Sequence, residues 1–387
     1  MRSFLVCNLL SLMLITASAG LARDGAAKGD IETVSSSRAL ALDKAFSSLM
    51  KMHKINTAGI AVIKKGEIHW QDYYGLQSPG VPASADTLFN VASITKTVTT
   101  ETILRLVAEG KLSLDESISP YWVDPDLEDD PNHHKLTARL ILTHTSGLPN
   151  WRFQTNDFKL KFVNEPGTKF GYSGEGFQYL MRYAEHKLGI PFESLVRSYV
   201  FDPIGMKDVS ISVRKKNFQR IAKPLDEDGR FYGYYCYPQG YCREEGDYSA
   251  AGDMVITVAD YAKFLIASMD DETLSPALKK ERDTIQVTSY EIDCSQSPEI
   301  LCPTRLGYGL GWNVTQLEND ELIGHSGSDW STVTLAYYYQ HSRDGLIIFF
   351  NAPNKAGIAG MVDALELLDP DSPKLHEYRA RAARANN

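Results

Sequence analysis

The chain has 387 residues, 23% of them charged and 43% hydrophobic, with 28 Gly and 17 Pro. That is ordinary globular composition, which excludes a disordered, collagenous or coiled-coil protein. A formal net charge of −9 leaves no basic field to steer a polyanion, so no nucleic-acid partner is expected. The short basic clusters at residues 214–216 and 379–384 read as solvated surface.

In chain order, residues 1–19 read as an export signal peptide. Arg2 gives a positive start, residues 4–15 an apolar stretch, and Ala17-Ser18-Ala19 a small-residue cleavage site. The apolar stretch is shorter than the ~20 residues a membrane span needs. An exported protein, periplasmic or extracellular and with no membrane span, is expected. Residues 20–37 form a small, polar, flexible lead-in, and residues 38–52 carry apolar side chains at helical spacing (Leu40, Leu42, Ala45, Leu49, Met52). The apolar run 58–63, the turn Lys64-Lys65-Gly66 and the alternation over 68–74 predict a β-hairpin packed on that helix.

Residues 92–269 read as mostly helical, with stops at Gly110 and Gly189 and a capping pair at Thr257 and Asp260. Strand character returns at 310–314, 322–324, 332–339 and 346–350, and residues 360–368 close as a helix. Strands from both chain ends around a helical middle imply an α/β (α+β) domain over 38–387. Its α/β part covers about 38–88 and 300–387, and a mostly helical region covers about 89–299.

Export makes cysteine pairing an issue. Cys7 lies in the signal, which leaves Cys236, Cys242, Cys294 and Cys302 in an oxidising compartment. Three pairings are open. The local one, Cys236–Cys242 with Cys294–Cys302, closes two short loops rich in turn formers, and free thiols are the alternative. No His lies at ligand spacing from either pair, so no metal and no cofactor are expected. His133-His134, in a polar loop, reads as solvated.

Three segments carry candidate chemistry. Ser93 opens a helix with Lys96 three residues on, so the ammonium lies beside the Ser93 hydroxyl and the helix N–H groups face it. A serine hydroxyl becomes a nucleophile when a neighbouring amine or phenolate takes its proton. Taken alone, Ser93 is an ordinary helix cap and Lys96 a surface lysine. Tyr172, in Gly171-Tyr172-Ser173-Gly174, precedes a helix and can reach a shared cleft; taken alone it is a core tyrosine. His325-Ser326-Gly327 leads into the strand at 332–339, and its small residues let a substrate lie against the strand edge; alone, His325 is a structural histidine. Gly324-His325-Ser326-Gly327-Ser328 lacks the final Gly and the following helix of a nucleophile elbow, which excludes Ser326 as an elbow serine.

The order of these segments resembles the serine β-lactamase and penicillin-binding-protein superfamily, in its class C β-lactamase-like branch, which also holds DD-peptidases, D-amino-acid amidases and carboxylesterases. The resemblance rests on residues 89–96, Gly110-Lys111-Leu112, residues 142–148, Tyr172-Ser173, residues 203–206, Ala250-Ala251-Gly252 and residues 308–312. It implies a central antiparallel sheet flanked by helices with a helical inserted region. It further implies Ser93 as acyl-accepting nucleophile, Lys96 as its amine partner and Tyr172 as general base. His325, Ser326 and Gly327 form the third motif, and the N–H groups of Ser93 and Ser328 form an oxyanion hole.

Two residues depart from the pattern of the branch's lactam hydrolases. Gly174 stands where their second motif has an Asn whose amide meets the substrate's acylamido chain, and His325 stands where their third motif has a Lys facing a carboxylate. The expected activity is therefore a secreted serine hydrolase cleaving an ester or amide of a small molecule or peptide, of esterase or D-peptidase type. A true β-lactamase is the alternative within the family, and a catalytically silent binder is the alternative outside enzymes.

Overall fold

The computed structural model describes residues 36–386 apart from Gln296, so the expected signal peptide and most of the lead-in lie outside the described residues. The principal helices are α1 (Ser36–His53), α2 (Thr95–Ala108), α3 (Gly174–Leu188), α4 (Val258–Met269), α5 (Asn354–Leu368) and α6 (Lys374–Asn386). The strands of the main sheet are β1 (Thr57–Lys64), β2 (Glu67–Ser78), β3 (Val81–Pro82), β4 (Val287–Thr288), β5 (Arg305–Tyr308), β6 (Asn313–Gln316), β7 (Glu321–Asp329), β8 (Thr332–Tyr339) and β9 (Gly345–Asn351). They pair antiparallel in the order β3-β2-β1-β9-β8-β7-β6-β5-β4. The two ends of the chain meet inside this sheet, where Ile60 of β1 lies opposite Ile348 of β9. The β1–β2 turn places Lys65 and Gly66 in the left-handed region, which suits the twist of a tight hairpin.

Successive side chains of a strand point to opposite faces, and here both faces are covered. Leu346, Ile348 and Phe350 pack with Phe46 and Leu49 of α1 and with Met361 and Leu365 of α5. Ile347 and Phe349 pack on the other side, with α2 and α4. Two-sided burial explains why residues 346–350 read as an unbroken apolar run. The buried face of α1 is Phe46, Leu49 and Met50, whereas Leu40 and Met52, counted in the helical pattern, are 69% and 70% exposed.

Other details depart from the sequence reading. The strand expected at 310–314 begins only at Asn313, because the chain turns at left-handed Gly311. Much of residues 89–299 is irregular chain between helices, and it includes a small sheet that pairs Phe89–Asn90 and Val209–Ser210 with Val255–Ile256. Thr257 does cap α4, accepting from the Asp260 N–H at 3.3 Å, but the Asp260 carboxylate takes the N–H groups of Lys207 and Asp208 instead of closing the box. His133 is buried rather than solvated and bonds the Leu127 carbonyl through Nδ1 at 3.0 Å. Beyond residue 368 the chain forms α6, whose Arg379 bonds Ser297, Glu299 and Glu366, so the terminal basic cluster partly anchors a helix. The cysteines pair locally, Cys236–Cys242 and Cys294–Cys302. Among the described residues no helix is long and apolar enough to cross a membrane.

Helix α2 is buried along residues 95–106 although it is rich in threonine. Four of its five threonine hydroxyls find internal acceptors, Thr95 on Ala92, Thr97 on Ile94, Thr102 on Val98 and Thr99 on Ala250, and only Thr100 lacks one among the described residues. That satisfaction is what permits polar side chains in a core helix. One turn from Lys96, the buried Glu101 carboxylate accepts from Arg282 at 3.0 Å and from the Trp312 indole at 2.8 Å, which fixes α2 against the sheet. Glu101→Ala strands part of a buried guanidinium, so it is expected to destabilise the fold by about 3–5 kcal/mol, measured as a fall in the urea unfolding midpoint.

Candidate active site

Strand Phe89–Asn90 delivers the chain to Ala92, a non-glycine residue at φ +45. Such a conformation costs energy and needs local support. The Asn90 side chain provides it by accepting the Ala92 N–H at 2.8 Å. A single 3₁₀ turn, Ala92–Ile94, then runs directly into α2 and sets Ser93 at the positive end of that helix. The Ser93 hydroxyl is not a helix cap. It accepts from Lys96 Nζ at 3.0 Å.

Lys96 is not a surface lysine either. It is fully buried, and its Nζ also donates to the Ala251 carbonyl at 2.8 Å. Three aromatic rings surround the nitrogen, with centroids at 4.9 Å (Tyr172), 5.7 Å (Phe177) and 5.9 Å (Trp151). Among the described residues no carboxylate pairs with it, so burial, which penalises the charged form, brings its pKa down to about 7. The segment carrying Ala251 is sewn in place from both sides. Thr99 bonds the Ala250 carbonyl, the Met254 N–H reaches Thr95, and Gln178 of α3 accepts the Ala250 N–H.

Tyr172 precedes α3, whose N-cap is Ser173, accepting from the Gly176 N–H. A hydrogen bond with Ser93 favours the Tyr172 phenolate, but burial outweighs it and raises the pKa above that of a free phenol. The ring leans on His144 at 4.4 Å. His144 Nδ1 accepts the Ser173 N–H at 3.1 Å, and His144 is itself held neutral by burial and by Lys96. His144 thus orients the residue that follows Tyr172, a role that a lone His within the segment 142–148 does not announce.

The third group comes from β7. Strand β6 stops at Asn313, opposite Gly324, so residues 325–329 run on with one edge open. His325 Nδ1 lies 2.6 Å from the Ser326 carbonyl, an acceptor only, so Nδ1 carries the proton. Nε2 is then a lone-pair acceptor, buried and without a partner among the described residues. Burial and Lys96 bring the His325 pKa down to about 3, so the ring is neutral across the working range. Ser328 Oγ accepts from Asn354 at 2.7 Å. Gly327 lets β7 reach Ser93: a Cβ there would lie 2.2 Å from the Val91 carbonyl oxygen and 3.2 Å from the Ser93 nitrogen.

The structure therefore brings Ser93, Lys96, Tyr172, His325, Ser326 and Ser328 to one region beside Gly327. Lys96 lies behind Ser93, and the others line a cleft of about 1260 Å³. It also explains Gly174. A Cβ at that position would lie 2.6 Å from the Trp151 indole, so the place that the lactam hydrolases give to an amide is taken here by an aromatic ring. Trp151 and the α6 residue Arg381, which reaches toward Ser328, line the same cleft and were not singled out by the sequence. Helix α6 lies beyond the segments that carry the resemblance.

The antiparallel sheet between two helical layers, with a serine and a buried lysine at its rim, defines a class of protein. The family described as Beta-lactamase matches residues 42–368, and the chain belongs to it. Esterase EstB of Burkholderia gladioli is 30% identical over 203 residues, 44% of this chain and 51% of that one, so the chain spans about half the length of that relative. Penicillin-binding protein 4* of Bacillus subtilis is 25% identical over 80% of this chain and 71% of its own. In fold, the chain is similar to the octameric penicillin-binding protein homologue from Pyrococcus abyssi, with a TM-score of 0.69 and 23% identity over 89% of this chain and 80% of that one.

Gly327→Ala is expected to force β7 away from Ser93, since the nearest obstacle is backbone that cannot rotate aside. An overpacking cost of about 1–3 kcal/mol follows, to be read as a lower thermal midpoint than wild type.

Proposed function

We propose that the chain is an exported serine hydrolase that cleaves an ester or amide through an acyl-enzyme on Ser93. The observation that carries this reading is the buried Lys96 amine, 3.0 Å from the Ser93 hydroxyl with its pKa near 7. An amine poised there is half neutral at physiological pH and accepts a proton without help. The two disulfides fit an oxidising compartment.

In the proposed reaction Ser93 Oγ attacks the substrate carbonyl carbon as its proton passes to Lys96. The oxyanion is held by the N–H groups of Ser93 and Ser328, on two chain segments that touch at Gly327. The Tyr172 hydroxyl, kept protonated by burial, gives its proton to the departing oxygen or nitrogen and regains one from Lys96. The bond to the leaving group breaks and an acyl-Ser93 ester remains. Water then attacks that ester, its proton returns by the same route to Ser93 Oγ, and the free acid departs. The base role that the resemblance gives to Tyr172 falls in this scheme to Lys96, because the phenolate is the costlier species in a buried site. A neutral acceptor at His325, in place of a cation, supports an uncharged ester or amide over an anionic β-lactam.

A fluorophosphonate is expected to label one site, Ser93, in the wild type and none in Ser93→Ala, with both proteins folded because no helix cap is lost. Labelling that survives the substitution removes Ser93 from the role, and a folded wild type that neither reacts nor turns over any ester is a silent binder. Tyr172→Phe is expected to lose about 10²–10⁴-fold in kcat, the range of general acid–base assistance.

The pH dependence has a definite sign. Below about 7, Lys96 binds a proton and the base is lost, so kcat/KM on a neutral ester falls toward acid. His325→Lys sets a second positive charge near Lys96, disfavours its ammonium form, and moves that limb to lower pH. Superimposable profiles for the two proteins would show that residue 325 exerts no electrostatic hold on Lys96.

A further inference from the structure

A strip of aromatic rings runs from Trp151 out to solvent. Trp151 stacks on Phe153 with centroids 5.9 Å apart and planes 13° apart. Phe153 meets Tyr237 at 6.1 Å, and Tyr237 stacks on Tyr241 at 5.8 Å. The inner end lies beside the chemistry, because the Trp151 ring is 5.9 Å from Lys96 Nζ. The outer end lies in water, with Phe153 47% and Tyr241 60% exposed. Trp151, Phe153 and Tyr237 all line the cleft that holds Ser93.

These exposed rings are held rigidly by devices on both sides. Arg152, between Trp151 and Phe153, is pinned by Asp124 at 2.7 Å, by Glu175 at 2.9 Å and by Asp126 at 3.4 Å. The Glu175 carboxylate also accepts the Arg152 N–H at 2.9 Å. Tyr237 and Tyr241 sit inside the loop closed by Cys236–Cys242 and are tied across it by a backbone bond from Tyr237 N–H to the Tyr241 carbonyl at 2.8 Å. Aromatic surface fixed in place yet left uncovered loses no freedom when a ligand lies on it, which is how a preorganised binding wall is built. The strip starts where a side chain at 174 would stand, the position that in lactam hydrolases meets the acyl chain. Its rings offer flat apolar faces where an amide would offer hydrogen bonds.

We propose that Trp151, Phe153 and Tyr237 form the subsite for the acyl group of the substrate, and that this group is aromatic. The proposal rests on the serine-hydrolase reading above. It makes Phe153 and Tyr237 specificity-determining residues, with Trp151 joining the strip to the reacting centre.

A series of p-nitrophenyl esters with one common leaving group tests it: acetyl, hexanoyl, 3-cyclohexylpropionyl and 3-phenylpropionyl. The wild type is expected to prefer phenylpropionyl over acetyl by about 10- to 100-fold in kcat/KM, the gain from burying one ring. It is expected to prefer phenylpropionyl over cyclohexylpropionyl by about 2- to 10-fold, the contribution of ring stacking. Phe153→Ala and Tyr237→Ala are each expected to shrink the phenylpropionyl-to-acetyl ratio several-fold. Phe153→Leu, which keeps the apolar bulk, should shrink the phenyl-over-cyclohexyl preference more than the phenylpropionyl-to-acetyl ratio. Ratios that stay at wild-type values in all three folded variants would overturn the proposal and assign the strip to another ligand. So would competitive inhibition by a soluble chitooligosaccharide that disappears in Phe153→Ala. A wild type inert toward all four esters and toward fluorophosphonate would instead overturn the hydrolase reading itself.

Discussion

The site depends on a lysine amine held out of water without a countercharge. Lys96 has one serine hydroxyl and one backbone carbonyl to bond, and aromatic faces around it. In solvent such a group is an ammonium at neutral pH; here desolvation cancels enough of that preference to leave much of the amine neutral near pH 7. A buried carboxylate beside it would restore the charge. Both neighbouring imidazoles, His144 and His325, are correspondingly kept neutral, and the Lys96 charge contributes to lowering each.

Keeping that nitrogen dry requires walls, and the fold supplies them from distant parts of the chain. The 3₁₀ turn Ala92–Ile94 carries Ser93 and runs into α2, which carries Lys96, the segment around Ala251 closes over Lys96, and α3 sets Phe177 beneath it. The remaining wall is β7, which can approach Ser93 only because residue 327 has no side chain. The Glu101–Arg282–Trp312 contact clamps α2 to the chain leading into β6. Site geometry and core packing therefore share one helix, and four internally bonded threonine hydroxyls let α2 be polar in sequence and buried in space.

The two departures from the lactam-hydrolase pattern have a common physical sense. At 325 a cationic donor is replaced by a neutral ring whose free nitrogen accepts. At 174 an amide is replaced by an indole from a neighbouring loop. Each exchange removes a group suited to an anionic or amide-bearing ligand and leaves the serine and lysine as they were. The family's machinery is thereby separated from the family's substrate contacts.

The sequence by itself determined what local pattern can determine. It marked a hairpin at 58–74, strands at 332–339 and 346–350, the helix stop at Gly189, the family and, as candidates, the Ser93, Lys96 and Tyr172 that the fold brings together, because each is written in period, turn chemistry or ordered short motifs. It misjudged the face of α1, since Leu40 and Met52 fit helical spacing but lie beyond the reach of the sheet. It treated residues 379–384 as surface, because the acceptors of Arg379 lie at residues 297, 299 and 366. Only the tertiary structure decided the charge states and the aromatic wall of the cleft. Whether Lys96 is an ammonium depends on which distant rings and carbonyls exclude water from it, and whether position 174 is a gap or an indole depends on where the Trp151 loop folds back. Burial and contact between residues far apart in sequence set both, and neither leaves a local signature.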